Sequence, residues 1–234
     1  MHDGMTMRWF STLGAAAGLS AAIVAAGTVP TVASPEPPTA RLSIEDVEFV
    51  GAFRLSSETF GESNTNYAVG TIGLNPASRS LFIAGHAQHN AIAEFAIPAA
   101  FGTDAEIVDL PVVNEPLQQF AGPLDAAPTG NPDGIDRING LFVDDGDLIV
   151  NAERWYDAAG AARDTTLVLN AADVDGAVAG YFEMDGAVHA GGYLSPVPPE
   201  WQPLLDGPVL TGWASNTSII SRHSIGPSLF TFDP

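Results

Sequence analysis

The chain has 234 residues with 28 acidic and 8 basic side chains, which gives a formal net charge of −20 and a pI of about 4.1. A surface this negative repels phosphate backbones and anionic lipid headgroups, so nucleic acid and peripheral membranes are excluded as expected partners. The hydrophobic fraction of 46% is too high for a disordered acidic chain. The composition therefore predicts an acidic globular protein.

The first 33 residues are predicted to be a signal peptide. Arg8 precedes the uncharged stretch Leu13 to Gly27, which is shorter than the roughly 20 residues that a membrane span needs. Small residues at 31–33 predict cleavage after Ala33. We expect a periplasmic or extracellular protein with no membrane attachment after cleavage, and an uncleaved anchor is the alternative. The chain has no cysteine, so its stability must come from packing without disulfides.

A proline-rich linker, residues 34–40, is predicted to lead into a β domain at 41–234. Three short apolar runs lie between Ala68 and Ile97, and the segments between them are rich in Asn, Pro, Gly and Ser. Runs of this length bounded by turn residues predict strands of an antiparallel meander rather than helices. A second unit with the same pattern lies between Asn139 and Leu169.

The two units are in register, because Leu81 and Leu148 are 67 residues apart and each follows a turn after a predicted strand. A third unit is expected to begin at the strand-like segment 227–234. Repeated meander modules without long helical patterns predict an all-β fold, specifically a partial β-propeller-like array of antiparallel blades. A β-sandwich is the alternative, because its strands recur at similar spacing.

A family resemblance rests on short stretches that span most of the predicted mature chain. These stretches are 50–55, 73–76, 80–86, 93–98, 199–202, 207–208, 210–212 and 220–227. They resemble a group of uncharacterised exported bacterial proteins. The resemblance implies a propeller-like fold and a chain that continues beyond the position of Pro234, so that 41–234 is the N-terminal part of a larger propeller. It implies no activity, and residues 213–217 stand where the group has a cysteine-containing stretch.

Histidines follow the second predicted strand of the first unit. His86 and His89, with Glu94 downstream, have the ligand types of a metal site, but spacing fixes no third ligand. We interpret the pair as turn histidines and predict neither a metal nor a cofactor.

Two acidic turns are also candidates for cation binding. The turn Asp144–Asp147 resembles part of a calcium loop, yet its Asp-Gly pair is typical of a two-residue hairpin, which we favour. In the segment 131–137, Asp133 or Asp136 is expected to form a loop ion pair with Arg137.

The end of the second unit's middle strand carries Glu153, Arg154, Trp155 and Tyr156. Aromatic rings beside an arginine and a carboxylate are typical of the rim of a site for sugars or other small ligands, and sheet-face packing is the alternative. Strand alternation lets Glu153 share a side with Trp155, or Arg154 with Tyr156. The predicted ligand-binding residues are His86, Arg154, Trp155, Arg222 and His223.

No nucleophile elbow, phosphate loop or dinucleotide fingerprint occurs in the chain. We therefore predict an exported binding or scaffold module for an extracellular small molecule or glycan, and leave open whether it is an enzyme. The alternative is a propeller-type hydrolase or lyase with an axial metal or acid/base site that uses His86 and His223.

Overall fold

The computed structural model describes residues 43–68, 70–157, 159–184, 192–213 and 229–234. The chain divides into two units, Met1–Glu48 and Phe49–Pro234. The described part of the first unit is a short 3-10 helix, Ile44–Asp46. Ser43 caps it, because its hydroxyl accepts from the helix and its amide donates to the Asp46 carboxylate at 2.7 Å.

The second unit is built mostly of β-strands, so the all-β prediction is confirmed. Its strands are β1 (Arg54–Leu55), β2 (Ile72–Asn75), β3 (Ser80–Ala84), β4 (Ile92–Ala96), β5 (Val112–Val113), β6 (Gln118–Ala121), β7 (Arg137–Asp144), β8 (Asp147–Glu153), β9 (Asp164–Leu169), β10 (Val178–Glu183), β11 (Gly192–Pro196), β12 (Val209–Trp213) and β13 (Leu229–Phe232). Its helical segments in the described ranges are the 3-10 turns Ile107–Asp109 and Asn170–Ala172 and the helix α1, Gln202–Leu205. Within those ranges no helix has the length and apolarity to cross a bilayer.

Three antiparallel meanders follow one another along the chain. The first sheet has the order β2-β3-β4-β6, the second β7-β8-β9-β10, and the third, in its described part, β11-β12-β13. Leu81 and Leu148 lie in β3 and β8, each the second strand of its sheet. The expected start of a third unit at 227 is wrong, because β13 pairs with β12 in a sheet whose described strands begin with β11 at Gly192. The first strand of that sheet ends at Pro196 and has no apolar run to mark it.

The first strands of the three sheets lie beside one another, with β2 against β7 and β7 against β11. These strands lie close together because glycines, which have no side chain, stand where they meet. A Cβ on Gly73 would lie 2.9 Å from the Leu141 Cβ, and one on Gly140 would collide with the carbonyl oxygen of Gly192. A side chain at either position would therefore force neighbouring sheets apart.

Apolar side chains cover both faces of the first sheet. Phe82 and Ile92 pack with Leu148 and Val150 of the second sheet in one core cluster. The other face forms a second cluster, where Leu81, Ile83 and Phe95 pack against the segment that carries the parallel pair β1 and β5. Every residue of β3 is buried as a result, which explains its continuous apolar run.

The turn between β7 and β8 is the predicted two-residue hairpin. Asp144 pairs with Asp147, and the two residues between them have positive φ, 45° at Asp145 and 90° at Gly146. Asp and Gly tolerate this conformation, which matches the twist of the flanking strands. Asp147 is used within the fold, since its carboxylate accepts a hydrogen bond of 2.6 Å from the Ala171 amide.

Candidate functional site

Three of the predicted site residues lie at equivalent points of the first and second sheets. His86 follows β3, and Arg154 and Trp155 follow β8, so each stands in the connection between the second and third strands of its sheet. Arg222 and His223 lie outside the described residues, in the sequence between β12 and β13.

The histidines after β3 form a stacked pair. The rings of His86 and His89 are 4.4 Å apart between centroids and inclined by 21°, and Tyr67 meets His86 edge-on at 5.6 Å. His86 Nδ1 accepts a hydrogen bond of 3.2 Å from the Gln88 amide, so the neutral ring carries its proton on Nε2. His89 Nδ1 lies 3.1 Å from the hydroxyl oxygen of the fully buried Ser63. The pair is thus fixed through its Nδ1 atoms, and His86 presents an Nε2–H donor.

Glu94, considered above as a third metal ligand, is engaged elsewhere. Its carboxylate accepts hydrogen bonds from the Ser80 hydroxyl, from Ser78 at 3.3 Å and from Gln118 Nε2 at 2.6 Å. Gln118 in turn bonds to the Ala172 carbonyl and the Val174 amide of the second sheet's connection, each at 2.9 Å. Glu94 therefore helps to join two sheets, and the described residues hold no group of three or more His, Asp and Glu side chains suited to a metal ion.

A β-bulge near the start of β7 brings Glu153 opposite Arg137. From the turn up to Gly140 and Asn151 the hairpin pairs without interruption, and then Asn139 is left out and Ile138 pairs with Ala152. Arg137 and Glu153 are consequently cross-strand partners whose side chains leave the same face of the sheet.

The side chain of Glu153 is buried, and no hydrogen-bond donor among the described residues contacts its carboxyl group. The residue is 5% exposed, and no hydrogen bond joins its side chain to any part of the chain that the structure describes. Burial raises the pKa of Glu153 from 4.5 to about 7; the charge of Arg137 opposes this rise and that of Asp136 adds to it. Glu153 thus changes its charge close to neutral pH.

Trp155 is a partly exposed ring that is held from two sides. The guanidinium carbon of Arg137 lies 3.9 Å from the centroid of the Trp155 ring, and the Trp155 backbone amide donates a hydrogen bond of 2.6 Å to Asp136 Oδ1. The residue remains 40% exposed. Contact with a cation and a fixed backbone orient the ring before any ligand binds. We call Asp136, Arg137, Glu153 and Trp155 the Arg137 cluster.

Arg137 forms no ion pair with any carboxylate in the part of the chain that the structure describes. Its buried Nε atom has no hydrogen-bond partner, and the ion pair within 4.0 Å that the described residues contain is Arg163 with Glu183. The expected ion pair of Arg137 with Asp133 or Asp136 is therefore wrong. Those carboxylates accept from backbone amides instead, Asp133 from Arg163 and Asp164, and Asp136 from Trp155.

A small cleft links the histidine turn to the Arg137 cluster. Its volume is about 10 Å³, and its lining includes His86, Asn90, Arg137 and Ile138. We call it the Arg137 cleft. The structure therefore brings one predicted residue, His86, beside an arginine that already contacts another, Trp155.

Arg154 takes part in none of the contacts of this arrangement that the described residues show. It is exposed, and within the described part of the chain no hydrogen bond or ion pair engages its side chain. The cation that accompanies Trp155 is Arg137, which sequence reasoning had placed in a loop ion pair. A role for Arg154, Arg222 and His223 in binding stays a prediction.

Comparison of the chain with protein-family models, with curated proteins and with solved structures finds no match. The resemblance described above stays a prediction, and the proposals that follow rest on the geometry of the molecule.

Proposed function

We propose that this protein is an exported β-propeller-type module that binds an extracellular glycan at the Arg137 cluster. The observation that carries the binding role is the Trp155 ring, held by Arg137 and Asp136 with part of its surface open to solvent. Sugars stack on such preoriented aromatic rings, and neighbouring charged groups fix their orientation.

The arrangement of the sheets supports the propeller. The three meanders follow one another in sequence, and their first strands β2, β7 and β11 lie side by side. In a propeller the corresponding strand of each blade lines the central channel, whereas a sandwich stacks two sheets face to face. The close glycine contacts between these strands, at Gly73 and Gly140, also favour radial packing.

A binding screen with the protein secreted from its own leader tests the function. Glycan arrays identify ligands, and tryptophan fluorescence gives their affinities. Trp155→Ala is expected to lower the affinity about 5- to 30-fold, because stacking on an aromatic ring contributes about 1 to 2 kcal/mol. Tyr193→Ala removes another exposed aromatic side chain and serves as the control. Wild-type silence on the array, or equal loss in both variants, contradicts the proposal.

The second candidate function is a hydrolase or lyase, and the environment of Glu153 favours it. A carboxyl group with a pKa of about 7 is suited to general acid or base catalysis at neutral pH. If the protein is an enzyme of this kind, Glu153→Gln abolishes cleavage of a bound glycan while leaving its affinity within about 10-fold. Binding without turnover in the wild-type protein contradicts this candidate and leaves the binding module.

A further inference from the structure

Arg137 is an unusual cation in this protein. The chain has 28 carboxylate side chains and 8 arginines, so an arginine has many available partners. Arg163 shows that such pairs form even at the surface, with Glu183 at 3.4 Å. Arg137 lies near Asp136 and Glu153 yet forms an ion pair with neither, and its buried Nε–H donates to no group among the residues that the structure describes. A buried donor without an acceptor is costly, which indicates that an acceptor from outside the chain belongs there.

The Arg137 cleft indicates how much of a ligand enters it. Its volume of about 10 Å³ has room for about one water-sized group, far less than the 300 to 1,000 Å³ typical of sites that enclose a whole small molecule. A single oxygen of a polar group fits, and the rest of the ligand must lie outside. Trp155, on which the Arg137 guanidinium is stacked, offers its exposed surface to that remainder.

The donors at the cleft select the charge of the entering group. Arg137 supplies a planar set of N–H donors that matches a carboxylate in two parallel hydrogen bonds. His86 lines the same cleft and presents an Nε2–H donor when neutral. Repulsion from the distant carboxylates that give the net charge of −20 is screened over about 8 Å at physiological salt. The carboxyl groups close to Arg137 are Asp136 and Glu153, and burial, which raises the pKa of Glu153 to about 7, reduces the negative charge of Glu153 near neutral pH.

We propose that Arg137 binds the carboxylate of an acidic sugar, a uronic acid residue of an extracellular polysaccharide, with one carboxylate oxygen at the Arg137 cleft, while the sugar ring stacks on Trp155. This inference deepens the proposed function and rests on it. The carboxylate occupies the free donors of Arg137, and the stacked ring explains why the tryptophan beside it is oriented but left open.

Oligomers of galacturonate, glucuronate and mannuronate, each beside its neutral methyl ester, test the proposal. At least one acidic oligomer is expected to bind, and its methyl ester about 10- to 100-fold more weakly, the range for a charge-assisted bidentate contact. In Arg137→Gln the affinity for the acidic oligomer is expected to fall by the same factor, and the affinity for the ester to change little. Arg137→Lys keeps the charge but not the planar arrangement of donors, so its affinity for the acidic oligomer should lie between those of the wild-type protein and Arg137→Gln.

Arg163→Gln is the matched control, because it removes the same charge from an exposed side chain, on the residue just before β9. It should bind like the wild-type protein, and thermal unfolding of every variant verifies that it folds. Equal affinity for acid and ester, or unchanged acid affinity in Arg137→Gln, overturns the inference and leaves the glycan-binding function in place. Binding of neutral glycans but of no acidic oligomer also overturns the inference and leaves the glycan-binding function in place. Absence of any binding to wild-type protein overturns both.

Discussion

Glu94 of the first sheet and Glu153 of the second are both buried, at 7% and 5% exposure, yet they differ in almost every other respect. Glu94 pairs across the strands with Phe82 of the intersheet core, and its carboxylate is surrounded by the neutral donors of Ser78, Ser80 and Gln118. Glu153 has a cation and another carboxylate as its neighbours and no hydrogen bond from the described residues.

The difference separates a carboxylate that maintains the fold from one that is available for other chemistry. Neutral donors satisfy Glu94 completely within the protein, and they connect the first sheet to the second through Gln118. Glu153 retains an uncompensated cost of burial, which appears as its raised pKa. Unsatisfied buried groups of this kind are concentrated at functional sites.

The largest effect is expected from removing the satisfied carboxylate. Glu94→Ala leaves three buried or half-buried hydrogen-bond donors without their acceptor. We therefore expect the free energy of unfolding to fall by about 3 kcal/mol. Urea denaturation measures the change, with Glu153→Ala at neutral pH as the comparison. An equal loss in the two variants contradicts the distinction drawn between the carboxylates.

Glu153, whose carboxylate has no hydrogen bond from the described residues, should make the free energy of unfolding depend on pH. Because the pKa of Glu153 is raised in the folded state, the folded protein keeps a proton that the unfolded chain releases between pH 4.5 and about 7. The contribution of this group to stability is therefore fully present below that window and is lost as pH rises through it. The advantage of Glu153→Gln over wild type should grow by about 2 to 3 kcal/mol from acid to alkaline pH. A constant difference between the two proteins across the range contradicts the raised pKa.

A smaller loss is expected from Gln118, the side chain that carries the Glu94 contact to the next sheet. Gln118→Ala removes three hydrogen bonds, to Glu94, Ala172 and Val174. It should cost about 1.5 kcal/mol, less than Glu94→Ala, because water reaches this half-buried site and replaces part of the lost bonding. Denaturation of the double variant measures the coupling, and strictly additive losses would show that the two residues do not act together.

The smallest effect concerns the charge next to Glu153. Asp136→Asn keeps an oxygen acceptor for the Trp155 amide but removes a negative charge that raises the Glu153 pKa. The midpoint of the pH-dependent stability should therefore move to lower pH, while stability at acid pH changes by less than about 1 kcal/mol. An upward movement of the midpoint would contradict the assigned electrostatics.

The sequence predicts the middle strands well and the outer ones poorly. β3 and β8 are buried on both faces, and each contains a continuous apolar run that predicts a strand from the sequence. The fourth strand β6 has the sequence Gln-Gln-Phe-Ala at the edge of its sheet, and only Phe120 is buried, so no alternation marks it. An edge strand that is partly exposed does not need the composition by which strands are recognised.

The sequence does not predict that Glu153 is the cross-strand partner of Arg137, and a single β-bulge explains why. Counting outward from the correctly predicted turn at Asp145 and Gly146 places Arg137 opposite Arg154. The bulge at Asn139 shifts the register by one residue and places Glu153 there instead. Sequence alone gives no signal for that extra residue, so the partnership of Arg137 with Glu153 and Trp155 appears only in the folded chain.

Arg137, which stacks on Trp155 and has no ion pair among the described residues, is proposed to bind a carboxylate from outside the chain. Side-chain NMR observes the Nε–H group of each arginine directly, and this claim predicts that the Arg137 signal moves on addition of the acidic oligomer that binds, while the Arg163 signal stays in place. An Arg137 signal that remains unmoved at saturating ligand, with other signals of the protein shifting, would contradict it.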